Sequence, residues 1–210
     1  RLTADTLRLR ERLSKLAGLD RVLLGDSEAL RHIRELVLDY SQTDATIMIT
    51  GETGTGKELV ARALHDLSNR ANGPFVAINC AAIALEKFED AMFGVKGQTL
   101  GSFRQADGGT LFLDEITACT PEVQAKLLRA IETREFTPVG SDHPVSVDVR
   151  IVSAAAEPPE AAVASGHLRG DLMYRLNNVM ITLPSLRDRK DDIPMLFAHF
   201  LQSNAALYEI

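Results

Sequence analysis

Short apolar runs alternate with amphipathic stretches along this chain. That alternation predicts strands and helices in turn, and hence a mostly parallel sheet covered by helices on both faces. The runs Thr46–Thr50, Phe75–Ile78, Thr110–Leu113, Val149–Ala154 and Met180–Leu183 read as buried strands. Ser27 is placed to cap a helix reaching about Tyr40. Glu58–Ser68 reads as a helix with Leu59, Ala63 and Leu67 on one face, and Thr120-Pro121 opens another that runs to about Thr133. After a break at Pro184, Asp191-Asp192 start a helix from Ile193 to about Ala206, beyond the sheet. Glu157–Ala164 reads only as a Pro/Ala-rich stretch, and no internal repeat is visible. At the start, Leu2, Leu9 and Leu16 recur with heptad spacing, with Thr6 and Leu13 on the intervening seam. Residues 1–17 therefore read as a helical stripe ended by Gly18. It is either a dimerising linker or an amphipathic helix packed on its own domain, and so short a stripe leaves both open.

The first strand flows into Gly51-Glu52-Thr53-Gly54-Thr55-Gly56-Lys57-Glu58, which fits the spacing G-x-x-x-x-G-K. Gly51, Gly54 and Gly56 allow a tight turn with N–H groups facing inward, and Lys57 supplies a cation. The helix that follows adds further N–H groups and the positive end of its dipole. A surface turn would share this composition, but a buried strand before it and an amphipathic helix after it favour a phosphate cradle. Glu58 stands where Ser or Thr usually ligates magnesium. Asp114-Glu115 ends another apolar strand, where one carboxylate can hold magnesium and the next can orient or deprotonate an attacking water. Two solvated acids at a strand end are the plainer alternative; the cradle in the same chain favours the nucleotide site.

Composition narrows the classes. With 210 residues, 45% of them hydrophobic, the chain can bury one good core and a small appendage. Its 29 Asp plus Glu against 23 Lys plus Arg are not a nucleic-acid footprint, so any DNA contact is expected in a domain outside this chain. No apolar run approaches a membrane span and no signal-peptide pattern opens the sequence, which reads as cytoplasmic. Cys80 and Cys119 lack any C-x-x-C spacing and read as reduced thiols, and the five histidines are scattered singly, so no metal cluster is expected.

Longer motifs make the reading specific. The cradle, then Phe75-Val76-Ala77-Ile78-Asn79-Cys80-Ala81-Ala82, then Gln105-Ala106-Asp107-Gly108-Gly109-Thr110-Leu111-Phe112-Leu113-Asp114-Glu115-Ile116, resembles the central AAA+ domain of bacterial enhancer-binding transcription regulators. So do Leu168-Arg169-Gly170-Asp171-Leu172-Met173-Tyr174-Arg175-Leu176-Asn177 and Leu183-Pro184-Ser185-Leu186-Arg187. The likeness runs from about Leu23 to Leu201. It implies a P-loop α/β nucleotide-binding subdomain over residues 19–186, a helical linker over 1–18 and the start of a helical lid over 187–210. By the resemblance, ATP and Mg2+ are the cofactors. Leu24 and Gly25 would lie against the adenine, and Gly51 to Leu59 (Glu52, Thr53, Gly54, Thr55, Gly56, Lys57 and Glu58 between them) would cradle the phosphates. Asp114 would hold magnesium, and Glu115 the attacking water. Asn79 would pair with Glu115, and Arg169 and Arg175 would reach into a neighbouring subunit's site, so self-assembly into a ring or dimer is implied. Glu58 is itself usual in this family.

The sequence departs from the family in three places. Between Phe93-Gly94 and Gln105 there are only Val95 to Arg104, without the GAFTGA loop that sigma-54 remodellers carry. Action without sigma-54, through the sigma-70 form of RNA polymerase, is therefore the expectation. Ala155 and Ala156 replace the Thr-Asn that senses the γ-phosphate, so weakened ATP hydrolysis is expected, with a catalytically dead, nucleotide-gated oligomerisation module as the alternative. A sigma-54-dependent ATPase with a degenerate loop is the third reading. The lid is short, and neither a receiver nor a DNA-binding domain is present; the resemblance implies a piece of a longer regulator, of response-regulator type.

Overall fold

Five strands, every neighbouring pair parallel, form one sheet in the order Phe75–Asn79, Thr110–Asp114, Arg150–Ala155, Ile47–Thr50, Val179–Thr182 in the computed structural model, which describes residues 2–208. In chain order the elements begin α1 (Leu2–Val22), α2 (Glu28–Ser41), β1 (Ile47–Thr50), α3 (Lys57–Asp66), β2 (Phe75–Asn79) and α4 (Leu85–Phe93). A hairpin of β3 (Gly94–Val95) and β4 (Thr99–Leu100) follows, then α5 (Ser102–Gln105), β5 (Thr110–Asp114) and α6 (Pro121–Thr133). A second hairpin, β6 (Glu135–Phe136) and β7 (Val145–Ser146), precedes β8 (Arg150–Ala155), α7 (Pro159–Ala164), α8 (Gly170–Leu176), β9 (Val179–Thr182) and α9 (Ile193–Tyr208).

The apolar runs of β1, β5 and β8 are continuous because both sheet faces are covered there, whereas the edge strands β2 and β9 are partly exposed. Ile47, Ile49, Phe112, Val152 and Ile181 pack under α1, α2 and α3. Met48, Leu111, Leu113 and Ile151 face the opposite core, with Phe88 of α4, Leu127 of α6 and Leu172 of α8. Each fully buried side chain of this size contributes about 1.5–3 kcal/mol. The caps are as expected: Ser27 accepts from the Leu30 N–H at 3.4 Å, and Thr120 from the Val123 N–H at 3.4 Å, with Pro121 opening α6. Arg150, 2% exposed, crosses from β8 to the C-terminal ends of two helices. Its guanidinium donates to the carbonyls of Ser41 (2.9 Å) and Tyr40 (2.8 Å) in α2 and of Leu64 (3.4 Å) in α3.

Three local expectations are corrected. Gly18 does not end the first helix, which continues to Val22. Leu16, Leu19 and Leu23 pack into the core beneath α2 and α3, and that burial outweighs the roughly 1 kcal/mol a helical glycine costs. The stripe's described end therefore packs on its own domain, while Leu13 is exposed and the side chains of Leu2 and Leu9 lie outside the described residues. In α3 Ala63 is buried with Val60, Ala61 and Leu64, and Leu67 packs against the same core, whereas Leu59 is 49% exposed and lines a cleft. The Pro/Ala-rich stretch holds a helix, α7, with Ala162 fully buried; so short an element carries too little periodicity to be read. The turns α4, α5 and α8 and the two hairpins were likewise below the reach of the pattern. Among the described residues no helix is long and apolar enough to cross a membrane.

Candidate functional site

Open parallel sheets bind ligands beyond the carboxyl ends of their strands, and the cradle leaves β1 at that end. Gly54 and Gly56 adopt φ of 85° and 100°, conformations that side chains disfavour, and among the described residues no acceptor meets their amides. The loop braces itself: Thr55 donates its N–H and Oγ to the Glu52 carbonyl, at 3.2 and 2.7 Å. α3 begins directly at Lys57, so its first N–H groups point into the same space.

Lys57 is buried, and its Nζ donates to the Gly51 carbonyl at 3.0 Å and to Glu115 Oε1 at 3.5 Å. The fold thus joins the cradle's cation to the carboxylates after β5, although 58 positions separate them in sequence. Asp114 is half-buried; burial first, then the Glu115 charge, push its carboxyl above the usual carboxylate range, while Lys57 opposes them. Glu115 holds φ 53°, left-handed for a non-glycine residue, and its N–H donates to Asp114 Oδ1 at 3.1 Å. Such strain is common where a side chain must be aimed. Asn79 lies beside Asp114 in the β2–β5 register. Its Oδ1 accepts from the N–H groups of Ala81 (2.9 Å) and Ala82 (3.2 Å), so the side chain caps a single turn instead of engaging Glu115. Glu58 is exposed, with Oε1 3.7 Å from Arg62.

A cleft of about 950 Å³ extends from the cradle, walled by Leu24, Leu59, Leu186, Ile193 and Phe197. Leu24, expected against the adenine, lines this cleft, and Gly25 is buried next to it. Two arginines that the sequence reading left without a role rim this cleft. Arg187 forms a bidentate pair with Glu52 (2.6 and 3.0 Å), and Arg189 reaches the Thr55 carbonyl at 3.5 Å. A third, Arg34, lies buried in the apolar stripe of α2, where a lone arginine was the only available signal.

The remaining candidates are elsewhere. Arg169 pairs with Asp171 at 2.8 Å, and its N–H donates to Gln124 at 2.8 Å. Arg175 is exposed, and its carbonyl accepts from Thr46 just before β1, at the opposite end of that strand from the cradle. Neither lines the cleft formed by its own chain. Ala155 is fully buried with its carbonyl accepting from the Gly51 N–H at 3.2 Å, and Ala156 is exposed. Cys80 and Cys119 are buried free thiols in contact; that contact and burial push the Cys80 thiol up. No cluster of three metal-ligating side chains occurs among the described residues.

These features match known proteins over most of the chain. The Sigma-54 interaction domain family matches residues 23–182. The chain is 49% identical over 188 residues to the DNA-binding transcriptional regulator NtrC of Rhizobium meliloti, covering 86% of this chain and 39% of that protein. It is 42% identical over 213 residues to the C4-dicarboxylate transport regulator DctD of Pseudomonas aeruginosa, covering 98% and 46%. Among solved structures, NtrX from Brucella abortus in complex with ADP superposes with a TM-score of 0.86 at 40% identity, over 98% of this chain and 46% of that one. The same protein in complex with ATP gives 0.84 at 40% identity, over 96% and 45%. The chain therefore spans less than half the length of these relatives. Nothing among them supports the sigma-70 polymerase expected from the shortened loop; sigma-54 is the form the family is described by. A parallel P-loop sheet, a cradle lysine against the acids of the next site strand, and this family match together identify the chain as belonging to the Sigma-54 interaction domain family, the AAA+ domain of NtrC-type regulators.

Proposed function

We propose that this domain binds ATP with Mg2+ in the cleft, self-assembles, and hydrolyses ATP at sites that each need a second copy. It would do so in the cytoplasm, within a longer response-regulator-type protein whose DNA contact is made by another domain. The observation that carries this reading is the convergence of Lys57, Asp114 and Glu115 at the mouth of the glycine cradle, next to an apolar cleft wide enough for a base. Lys57 would exchange its Gly51 and Glu115 contacts for β- and γ-phosphate oxygens. Its departure frees Glu115 to accept a proton from, or orient, the attacking water, while Asn79 keeps a side-chain amide available for Glu115. Asp114 suits magnesium, which binds through one or two carboxylates plus phosphates and water, so the absence of a three-ligand cluster does not conflict. The ion would neutralise charge on the phosphates. Arg169 and Arg175, remote from their own cradle, are available to a neighbour's.

The test is ATP turnover per subunit across a wide range of protein concentration. Turnover that climbs with concentration is the expected result, because the site is shared. Bound ATP without turnover at any concentration would instead favour a nucleotide-gated scaffold, the outcome that Ala155 and Ala156 motivate.

The polymerase partner proposed is the sigma-54 form, following the family. One observation favours a second reading, in which the domain acts without it: only Lys96, Gly97 and Gln98 join β3 to β4, so the hairpin protrudes little. A pull-down of sigma-54 with the domain and a transition-state mimic of ATP separates the two. Retention of sigma-54 only with the mimic is expected from the family reading, and no retention under any nucleotide condition supports the second.

A further inference from the structure

The turn that faces the base end of the cleft is held by two buried charges of opposite sign, and one of them belongs to the root of α9. Leu23 to Ser27 link α1 to α2, and Leu23 and Leu24 line the cleft. Arg34 of α2, 4% exposed, donates to the Leu23 carbonyl at 2.7 and 3.3 Å and also to the Gly25 carbonyl. From the other side comes Asp192, 1% exposed and immediately before α9. It accepts the N–H groups of Asp26 (2.7 Å) and Ser27 (2.9 Å) and the Ser27 hydroxyl (2.7 Å). Between these anchors both backbone groups of Leu24 have no partner among the described residues.

The fit is tight. A Cβ on Gly25 would stand 2.6 Å from the Asp192 carboxyl carbon and 2.7 Å from Leu30, at φ 140°, so only glycine lets the carboxylate come this close. Burial alone would push the Asp192 carboxyl up, but the hydrogen bonds from Ser27 and Asp26 outweigh it and hold it below its ordinary value. The residues that follow, Ile193, Leu196 and Phe197, wall the same cleft. One carboxylate thus joins the turn on one wall of the cleft to the helix on another.

The geometry points to Asp192 as a positioning residue for the nucleotide base: it fixes Leu24 against the base and couples that contact to the orientation of α9. This rests on the ATP-binding reading and adds a residue to it that touches neither phosphate nor magnesium. A structural role alone would weaken all ligands together. A positioning role weakens only those that carry a base.

The experiment compares ATP with inorganic tripolyphosphate, each with Mg2+, by calorimetric titration of the wild-type chain and Asp192→Asn. The amide keeps the shape but loses the charge that makes three accepted hydrogen bonds strong. ATP affinity is expected to fall about tenfold, with tripolyphosphate affinity unchanged. Unchanged ATP affinity, or equal losses for both ligands, would overturn the proposal. Ser27→Ala removes one of the three donors and serves if Asp192→Asn does not fold; the same split is expected, at about threefold. Wild-type protein that binds neither ligand would refute the ATP-binding reading itself, a result distinct from any failure of the variants.

Discussion

Glu115→Gln and Arg175→Ala, each inactive alone, are expected to regain ATP turnover when mixed. Arg175 is exposed at the end of the sheet opposite its own cradle, while Glu115 contacts Lys57 inside it. If Arg175 serves the neighbouring copy, an Arg175→Ala subunit keeps a complete cradle that lacks only the arginine arriving from outside. A Glu115→Gln neighbour can supply that arginine, so mixed contacts contain whole sites. Removing an arginine that acts in trans lowers turnover by about 10³-fold or more, and the glutamine variant leaves the water without a base. ATP binding should persist in both, because each variant keeps the cradle's glycines and Lys57 itself. Steady-state turnover of the two variants, alone and mixed in equal amounts, decides the matter. A mixture as inactive as its components would remove Arg175 from the shared site. Arg169 is tested in the same way, and its pairing with Asp171 at 2.8 Å must open for it to act.

Arg150→Met is expected to destabilise the fold by about 3 kcal/mol without changing any group at the cleft. Two effects oppose each other here. Burial disfavours the charged form of Arg150, lowering its pKa, and methionine removes that desolvation penalty. Against this, the guanidinium serves acceptors at the C-terminal ends of both α2 and α3, where a cation also meets the negative ends of two helix dipoles. The Tyr40 carbonyl keeps the Thr43 N–H and hydroxyl as donors, but Ser41 has no other donor. An acceptor left buried and unmatched costs about 1–3 kcal/mol, and the lost dipole interactions add to it, so the loss wins. Melting should occur roughly 6–12 °C lower, and ATP affinity measured well below the transition should be unchanged. A midpoint within a degree of wild type would mean that solvent reaches those carbonyls.

The parts of the site that were legible in the sequence are those whose chemistry is local. The cradle needs its glycines and Lys57 within one turn, and the caps at Ser27 and Thr120 reach only three residues along the chain. β1, β5 and β8 were legible because burial on both faces forces unbroken apolar runs, and the half-exposed edge strands β2 and β9 because their runs are still mostly apolar. Arg34 and Asp192 were not, since nothing near them in sequence announces a partner. Asp192 accepts from residues 165 and 166 positions away. Leu59 was read by its spacing on one face with Ala63 and Leu67, yet only those two join Val60 and Leu64 in the core, and Leu59, at the edge of that face, is left to the cleft.

By itself the sequence determined the class of this protein: a parallel α/β sheet, a phosphate cradle and acids at the end of a buried strand, together with the motifs that mark its family. Tertiary structure alone decided which groups face one another. It carried α1 past Gly18, parked Lys57 on Gly51 and Glu115, turned Arg175 away from its own cradle and pinned the cleft-lining turn between Arg34 and Asp192. The reason is physical. Backbone conformation and apolar period are properties of neighbouring residues, whereas burial of a charge is tolerated only where distant segments bring its partners, and those partners exist only once the chain has closed around them.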